Sequence, residues 1–292
     1  MRQSNTAAAI LAEGKKLLME AGRESTAAEL LLMDVLGISR TELLIRLRDD
    51  VGEEERERFF SGIAQMAGGT PLQYVTGREM FYGRLFTVTS DVLIPRPETE
   101  ELVSGALARA ERIWAGKDGL NMADIGTGSG AIAVTFKLEL PGTEVTATDI
   151  SPAALRVAMR NADRLGAEVT FLEGDMAAPL TGRKWDIVLS NPPYIDPEDR
   201  SVMSDTVTGH EPHGALFAEE KGLIHYRTLA ASLPALMAVP GLIGVEIGHD
   251  QGPAVREMFR AAFPDASVES VRDINGKDRM VFCEIPQNDY ER

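Results

Sequence analysis

A glycine-rich turn between a strand and a helix predicts the fold class of this chain. Residues 123–131 read Ala-Asp-Ile-Gly-Thr-Gly-Ser-Gly-Ala, between a short apolar segment and a helical segment rich in alanine, isoleucine and valine. Such a turn lets a ligand approach the main chain closely and face the unsatisfied N–H groups at the start of the helix. The pattern predicts an α/β sheet with a ligand at the carboxyl end of this strand.

Two carboxylates follow the next predicted strands. Asp149 ends the apolar segment 144–149, where it can accept hydrogen bonds from ribose hydroxyls, as in NAD and S-adenosylmethionine sites alike. Asp175 follows the third strand and is placed to meet an adenine edge. Because residues 126–131 also satisfy a loose dinucleotide fingerprint, these positions alone do not separate the two cofactors.

The sequence Asn-Pro-Pro-Tyr at 191–194 decides between them. It follows the apolar run 185–190, which predicts a buried strand that ends in a loop. The Asn191 side chain and the Pro192 carbonyl both offer acceptors, since the prolines fix φ and supply no N–H donor. Such a loop can hold both protons of a planar NH₂ group while the nitrogen faces a reagent. Hydride transfer has no use for this arrangement, so the combination favours a methyl donor.

In these and other stretches the chain resembles the HemK-type glutamine N5-methyltransferases, which modify bacterial peptide-chain release factors. The matching positions span about residues 71–284 and comprise Pro71-Leu72-Gln73-Tyr74, Gly77, 81–83, 92–100, 124–130, 190–195, Glu211-Pro212, Ala215-Leu216, Gly222-Leu223, Tyr226-Arg227, Glu246-Ile247-Gly248 and Gln251. The run 94–100, Ile-Pro-Arg-Pro-Glu-Thr-Glu, is the most specific. Asn-Pro-Pro-Tyr recurs in other amino-group methyltransferases, and a sister branch that acts on a ribosomal protein departs from the Glu-Thr-Glu part.

The resemblance implies an enzyme that moves a methyl group from S-adenosylmethionine to the glutamine of the Gly-Gly-Gln motif in class 1 release factors. The methionine end of this donor is expected on Gly126, Thr127, Gly128, Ser129 and Gly130. Asp149 is expected to hold the ribose. Asp175 and Met176 are expected around the adenine, with Asn191 beside the donor, although the family usually carries a bulkier apolar or aromatic residue in place of Met176.

Loop 191–194 is the predicted substrate side of the site. Asn191 and Pro192 are expected to orient the glutamine amide, and Tyr194 to form an aromatic wall against it. These three are the predicted catalytic residues. Pro193 completes the predicted substrate-binding loop.

The segment before the first helix of the larger domain carries two further candidates. Arg96 and Glu98 either line the entrance and contact the glutamine-bearing loop, or Arg96 pairs with a local carboxylate and braces the chain. His210 and His213 flank a Glu-Pro pair but lack further clustered ligands, so no metal is expected. His225 is expected to be structural or to face solvent.

The chain divides into two predicted domains. Residues 1–76 show helical periodicity without catalytic signatures, and they form either a packing lid or, as the resemblance implies, a release-factor-binding domain. Residues 77–292 are the predicted methyltransferase domain, which opens with a hairpin linker at 77–97 where residues 84–94 alternate like a strand. A Rossmann-like doubly wound sheet follows, with strands expected near 120–125, 144–149, 168–172, 185–190, 240–247, 267–272 and 279–285. Asn275-Gly276 predicts that the last two form an antiparallel hairpin.

Charge and composition limit the partners. Lys and Arg total 30 and Asp and Glu 45, a formal net charge of −15. Such a surface repels a phosphate backbone, so free nucleic acid is a poor substrate, whereas a basic protein is attracted. An adenine-N6 nucleic-acid methyltransferase, a glutamine methyltransferase of a ribosomal protein and a module that only sequesters a release factor remain alternatives. Prolines break the apolar runs, no secretory signal is visible, and Cys283 is the only cysteine; we therefore expect no membrane span and a cytoplasmic protein.

Overall fold

The computed structural model describes residues 5–202 and 205–287 of the chain. The chain forms two compact units, one of Met1–Arg78 with Met203–His210 and the other of Glu79–Val202 with Glu211–Arg292. The sequence places a domain boundary between residues 76 and 77, but it gives no reason to group residues 203–210 with the first unit. Among the described residues, no helix combines the length and the apolar character that a membrane span requires.

Helices and strands are numbered in chain order. The helices are α1 (Ala7–Glu20), α2 (Thr26–Leu36), α3 (Arg40–Ile45), α4 (Glu53–Ala67), α5 (Leu72–Thr76), α6 (Pro97–Trp114), α7 (Ala131–Glu139), α8 (Pro152–Leu165), α9 (Asp205–His210), α10 (Glu219–Gly222), α11 (Ile224–Ser232) and α12 (Gly252–Ala262). The strands are β1 (Arg78–Phe81), β2 (Arg84–Thr87), β3 (Asn121–Ile125), β4 (Glu144–Asp149), β5 (Val169–Glu173), β6 (Trp185–Ser190), β7 (Met237–Glu246), β8 (Ser267–Arg272) and β9 (Asp278–Ile285). Short 3₁₀ turns lie at Ala178–Leu180, Pro197–Val202, His213–Ala215 and Leu233–Ala235.

The first unit consists of helices α1 to α5 and α9, as the periodicity predicts for residues 1–70. Ser39 and Glu42 form a capping box at the start of α3: the Ser39 hydroxyl accepts from the Glu42 N–H, and the Glu42 carboxylate accepts from the Ser39 N–H. Gly37 ends α2 in the left-handed region. Buried side chains from α1, α2 and α4, among them Leu18, Leu32 and Phe59, form the core of this unit.

The second unit is built on a seven-stranded sheet with the strand order β5-β4-β3-β6-β7-β9-β8. Strands β3 to β7 pair in parallel, and β9 pairs antiparallel with both β7 and β8. The predicted C-terminal hairpin is therefore confirmed, and Gly276 takes φ 77° in its turn. Along β6, Ile187 and Leu189 pack into one apolar layer and Val188 into the other, because side chains alternate across a strand.

Two predicted strands differ from the observed ones. The strand expected at 84–94 ends at Thr87, because the Thr89 hydroxyl accepts from the Asp91 N–H and the Thr89 carbonyl accepts from the Val92 N–H, which closes a turn. Strand β7 begins at Met237 rather than near residue 240. Pro240 hides this start in the sequence, and the β6–β7 register shifts between Trp185 and Ile187.

The order of the strands determines where a ligand can lie. Strand β3 lies between β4 and β6, so the chain crosses from one half of the sheet to the other at the β3–β6 pair. A crevice opens at the carboxyl ends of strands at such a switch point. The glycine-rich turn follows β3 and loop 191–194 follows β6, so both motifs lie at this crevice.

Candidate active site

The glycine-rich turn, here called the donor cradle (residues 126–130), joins β3 to α7. Gly126 and Gly128 have φ of 74° and 55°, and nothing lies within 4 Å of where their side chains would project. The Gly126 and Thr127 N–H groups donate to the Thr148 carbonyl, both at 2.9 Å, which fixes the turn to β4. The open space above both glycines is what close contact between a ligand and the main chain requires.

Asp149 holds the donor cradle from β4. One carboxylate oxygen accepts from the Gly128 N–H at 2.9 Å and the other from the Ser151 N–H at 2.8 Å. Each oxygen keeps a further lone pair, and the residue lines the cavity described below. The geometry is thus compatible with the predicted ribose contact.

Asp124 is a buried carboxylate beneath the donor cradle. Its Oδ2 accepts from the Thr127 hydroxyl at 2.6 Å and from the Ala133 N–H at 3.2 Å, and its Oδ1 has no partner among the described residues. Burial raises the pKa of this carboxyl to about 7, and the charge of Asp149 acts in the same direction. The sequence placed Asp124 in a matching stretch but gave it no role, because its contacts depend on how the turn closes.

A cavity of about 630 Å³ joins the donor cradle to loop 191–194. That volume is typical of a small-molecule site. The predicted site residues that line it are Arg96, Gly126, Thr127, Gly128, Ser129, Asp149, Asp175, Met176, Asn191 and Pro193. Gly130, Pro192, Tyr194 and Glu98 are not among the lining residues.

Several lining residues were not predicted. His225 borders the cavity and is half-buried, and its expected role as a structural or solvent-facing residue stays a prediction. Burial lowers its pKa, while Asp175 opposes that shift. Phe217 also lines it, because a bridge between Ile195 and Phe217 brings that segment to the loop. Ile150 follows Asp149 directly, and its place after a strand end is the one signal that could have identified it.

The Asn191 side chain lies at the cavity with its amide group held in place. Asn191 Nδ2 donates to Thr99 Oγ1 at 3.1 Å, and Thr99 Oγ1 donates to Glu246 Oε2 at 2.6 Å. The hydrogen bond that the Asn191 side chain makes within the described residues is through Nδ2, which leaves Oδ1 as an acceptor. The strand that positions Asn191 is rigid, since β6 is buried along its whole length and the Ser190 hydroxyl donates to the Ile125 carbonyl at 2.7 Å.

Tyr194 packs against the apolar layer around β7, and its hydroxyl donates to Glu246 Oε1 at 3.3 Å. Burial raises the pKa of this phenol, and so does the neighbouring Glu246. The hydroxyl therefore stays protonated and serves as a donor. The predicted role of Tyr194 as a substrate wall stays a prediction.

Arg96 forms an ion pair with Glu211, whose side chain is 1% exposed. The other oxygen of Glu211 accepts from the Ile94 N–H at 3.3 Å, so this carboxylate ties residues 94–96 together. Arg96 also borders the cavity. Its pairing with a local carboxylate is thus observed, whereas its contact with the glutamine-bearing loop stays a prediction. Glu98 is half-buried, and its contact with substrate stays a prediction.

Among the described residues, no group of His, Cys, Asp or Glu side chains is arranged to hold a metal ion. The cavity joins an amide acceptor, Asn191, to a glycine-rich turn that leaves room for a ligand against its main chain. Transfer of a methyl group to nitrogen needs these two elements side by side. The fold and the site therefore define an S-adenosylmethionine-dependent methyltransferase.

Comparison with known proteins gives the particular family. Residues 9–77 match the PrmC N-terminal domain and residues 110–210 the methyltransferase small domain. The chain is 48% identical over 270 residues to the release factor glutamine methyltransferase of Bacillus cereus, covering 92% of this chain and 95% of that protein. It is 45% identical over 273 residues to that of Bacillus subtilis, covering 93% and 95%. The chain belongs to the release factor glutamine methyltransferase family.

A solved structure shows the same fold without close sequence similarity. A methyltransferase from Pyrococcus furiosus superposes with a TM-score of 0.52 at 14% identity, covering 80% of this chain and 100% of that one. The likeness supports the Rossmann-like methyltransferase fold, and the family membership rests on the sequence relatives.

Proposed function

We propose that this protein transfers the methyl group of S-adenosylmethionine to the side-chain amide nitrogen, N5, of the glutamine in the Gly-Gly-Gln motif of class 1 release factors. The single observation that carries this proposal is the Asn191 amide. Its Nδ2 is engaged by Thr99, and its Oδ1 is left as an acceptor at the cavity beside the donor cradle. An unpaired acceptor there matches the N–H group of a carboxamide substrate.

The chemistry requires positioning more than proton transfer. An amide nitrogen is a poor nucleophile because its lone pair is delocalised into the carbonyl. If Asn191 Oδ1 and the Pro192 carbonyl accept the two N–H protons, the face of the nitrogen is directed at the methyl group and the positive charge that develops on nitrogen is stabilised. Effective positioning of this kind supplies several kcal/mol, up to roughly 7–11 in ideal cases.

The donor supplies an electrophilic methyl group on a sulfonium. The new N–C bond forms as the C–S bond breaks, and the nitrogen then releases one proton to water. No residue need act as a base before attack, because the methylated nitrogen becomes acidic. The residues proposed to hold the donor are the donor cradle, Asp149 at the ribose, and Asp175 and Met176 at the adenine.

The helical unit is proposed to bind the release factor. Residues 9–77 of this unit match the PrmC N-terminal domain, and whole-chain relatives are named release factor glutamine methyltransferase. The net charge of −15 supports a basic protein partner and speaks against free nucleic acid. Because such a substrate works on ribosomes, we place the protein in the cytoplasm.

The direct test is incubation with tritiated donor and purified class 1 release factor, followed by mapping of the labelled residue. The expected result is one methyl group on the Gly-Gly-Gln glutamine. A ribosomal-protein fraction and duplex DNA are incubated in parallel as competing substrates. Label on a ribosomal glutamine or on adenine, with none on the factor, would overturn the proposal.

A short Gly-Gly-Gln peptide, used as substrate in the same assay, distinguishes the contribution of the helical unit to substrate binding from that of the catalytic cavity. It can reach the catalytic cavity but offers nothing to the helical unit. We expect methylation of the peptide with a much higher KM than that of the intact factor. Equal KM values would remove the proposed binding role of residues 1–76.

A further inference from the structure

Three side chains form a buried line from the catalytic loop into the sheet. Asn191 Nδ2 lies 3.1 Å from Thr99 Oγ1, and Thr99 Oγ1 lies 2.6 Å from Glu246 Oε2. Thr99 is 4% exposed and Glu246 1%. The three residues come from loop 191–194, α6 and β7, so the line exists only in the folded second unit.

Counting protons along this line fixes the orientation of the Asn191 amide. A carboxylate only accepts hydrogen bonds, so the single Thr99 hydroxyl proton is committed to Glu246. The hydroxyl then has only lone pairs to offer Asn191. Only the NH₂ side of the Asn191 amide can satisfy them, so the amide oxygen is turned away from Thr99 and is left for a ligand in the cavity that Asn191 lines.

The orientation matters because an asparagine amide has two orientations of nearly equal shape. With the oxygen toward the cavity, Asn191 accepts from a substrate N–H. With the NH₂ group toward the cavity, the N–H protons of Asn191 would face those of the substrate amide, and two donors cannot form a hydrogen bond. The shape of the pocket alone does not select one of these two amide orientations, so a hydrogen-bond partner with a fixed proton must select it.

We propose that Thr99 and Glu246 are positioning residues that hold the Asn191 amide with its oxygen available as an acceptor. The Glu246 carboxylate accepts the Thr99 hydroxyl proton in a hydrogen bond, so Thr99 can only accept a hydrogen bond from the Asn191 NH₂ group. The inference rests on the proposed function, because it assigns Asn191 Oδ1 to the substrate amide. Neither positioning residue needs to touch the reacting atoms.

The same carboxylate also holds the far end of loop 191–194. Glu246 Oε1 accepts from the Tyr194 hydroxyl at 3.3 Å, so its two oxygens hold Asn191, through Thr99, and Tyr194 directly. Arg279 on β9 offsets part of its charge. The Tyr226 hydroxyl donates to the Glu246 main-chain carbonyl at 2.8 Å and fixes this part of β7.

The test uses two opposite substitutions at one position. Thr99→Val keeps the shape and removes the hydroxyl, whereas Thr99→Ser keeps the hydroxyl and removes a methyl group. We expect Thr99→Val to lower kcat about 10- to 100-fold, the order of losing one buried hydrogen bond, with donor affinity by calorimetry unchanged within about twofold. Thr99→Ser is expected to keep kcat within about threefold of the wild type. The reverse ranking would show that Thr99 acts by packing and would overturn the proposal.

Thr143→Val is the matched control. Thr143 is 1% exposed, and its hydroxyl has no hydrogen-bond partner among the described residues. It precedes β4, at the end of the sheet away from the cavity. We expect its kcat to equal that of the wild type.

A double-mutant cycle shows whether Thr99 acts through Asn191. In an Asn191→Ala background, Thr99→Val should change kcat by less than about twofold, because no amide remains to be oriented. The same 10- to 100-fold loss in both backgrounds would contradict the inference. A wild type that labels no release-factor glutamine contradicts the proposed function itself. A wild type that labels it, together with a Thr99→Val variant of equal kcat, contradicts this inference alone.

Discussion

Gln251 Nε2 donates to the main-chain carbonyl of Tyr194 at 2.9 Å, which ties the end of loop 191–194 to the start of α12. The same nitrogen donates to the Lys221 carbonyl at 3.2 Å, and the Gln251 oxygen accepts from the Gly248 N–H at 2.9 Å. Loop 191–194 is thus held at both ends, by Thr99 at Asn191 and by Gln251 at Tyr194. Its rigidity comes from these side chains as well as from its prolines.

A side chain at residue 222 is predicted to disrupt this anchor. Gly222 has φ 79°, and a Cβ there would lie 1.9 Å from the Tyr194 carbonyl oxygen and 2.5 Å from Gln251 Nε2. Gly222→Ala should therefore displace loop 191–194, lower kcat at least about tenfold, and cost roughly 2–5 kcal/mol of unfolding free energy from strain and overpacking. Turnover and urea unfolding measure the two effects.

Gly276→Ala is the matched control for that variant. Gly276 has φ 77°, and nothing lies within 4 Å of its would-be Cβ. It shares the left-handed conformation without the clash, so it should lose about 1–2 kcal/mol and keep full kcat. Equal losses of activity in both variants would contradict the anchoring role of Gly222.

The elements that could be predicted from sequence are those set by local chemistry. The Asn275-Gly276 hairpin forms as expected, and the Ser39 capping box likewise depends on residues only three positions apart. The Asn191–Thr99–Glu246 line joins residues 92 and 147 positions apart, so no local pattern reveals it. Thr99 lay within a recognised run but had no stated role, because its partner is decided by how α6 packs beside the sheet.

Asn191→Ala is predicted to remove catalysis and spare donor binding. The side chain reaches the cavity at the substrate side, and its loss removes one preorganised polar contact to the substrate amide. We expect kcat to fall on the order of 10²–10³, as for loss of one oxyanion-type donor. Calorimetry with S-adenosylmethionine should give an unchanged Kd. Near-normal turnover would remove the proposed amide contact.

Asp149→Ala is predicted to weaken donor binding. The change removes the proposed ribose acceptor and also the acceptors of the Gly128 and Ser151 N–H groups, so the donor cradle loses its support. We expect the Kd for S-adenosylmethionine to rise about 10- to 100-fold, the order of one or two charged hydrogen bonds. The melting temperature of the variant without donor distinguishes two causes: a lower value indicates that the donor cradle has lost its support, and an unchanged value indicates that only the contact with the ribose is lost. An unchanged Kd would rule out the ribose role.

The rate of methyl transfer is predicted to rise with pH through about 7. Burial raises the pKa of Glu246 to about 7; hydrogen bonds from Thr99 and Tyr194 and the charge of Arg279 oppose that shift, and the charge of Glu98 adds to it. Below that pH the protonated carboxyl can donate to Thr99, whose proton is then free to turn toward Asn191 and favour the wrong amide orientation. The ionised form above it restores the acceptor orientation.

Glu246→Gln tests this pH dependence, because it removes the titrating group and should flatten the kcat profile between pH 6 and pH 8. Asp124 is the other described carboxyl whose pKa is raised to about 7. Asp124→Asn should therefore leave the inflection in place. If the inflection survives in Glu246→Gln and disappears in Asp124→Asn, the titrating group is Asp124 beneath the donor cradle and the role of Glu246 is contradicted.

Asp124→Asn is predicted to alter how stability depends on pH. The folded-state pKa of Asp124 lies near 7 and its ordinary value is 3.8. The unfolded chain therefore releases this proton at lower pH than the folded protein does. As a result, the free energy of unfolding falls as the pH rises from about 3.8, the ordinary pKa, to about 7, the folded-state pKa. The asparagine oxygen can still accept from Thr127 and Ala133, while the amide cannot ionise. Urea unfolding of the wild type and the variant at pH 5 and pH 8 should show the variant losing less free energy between these two values, by on the order of 2–4 kcal/mol. The same loss in both proteins would show that this buried carboxyl titrates normally.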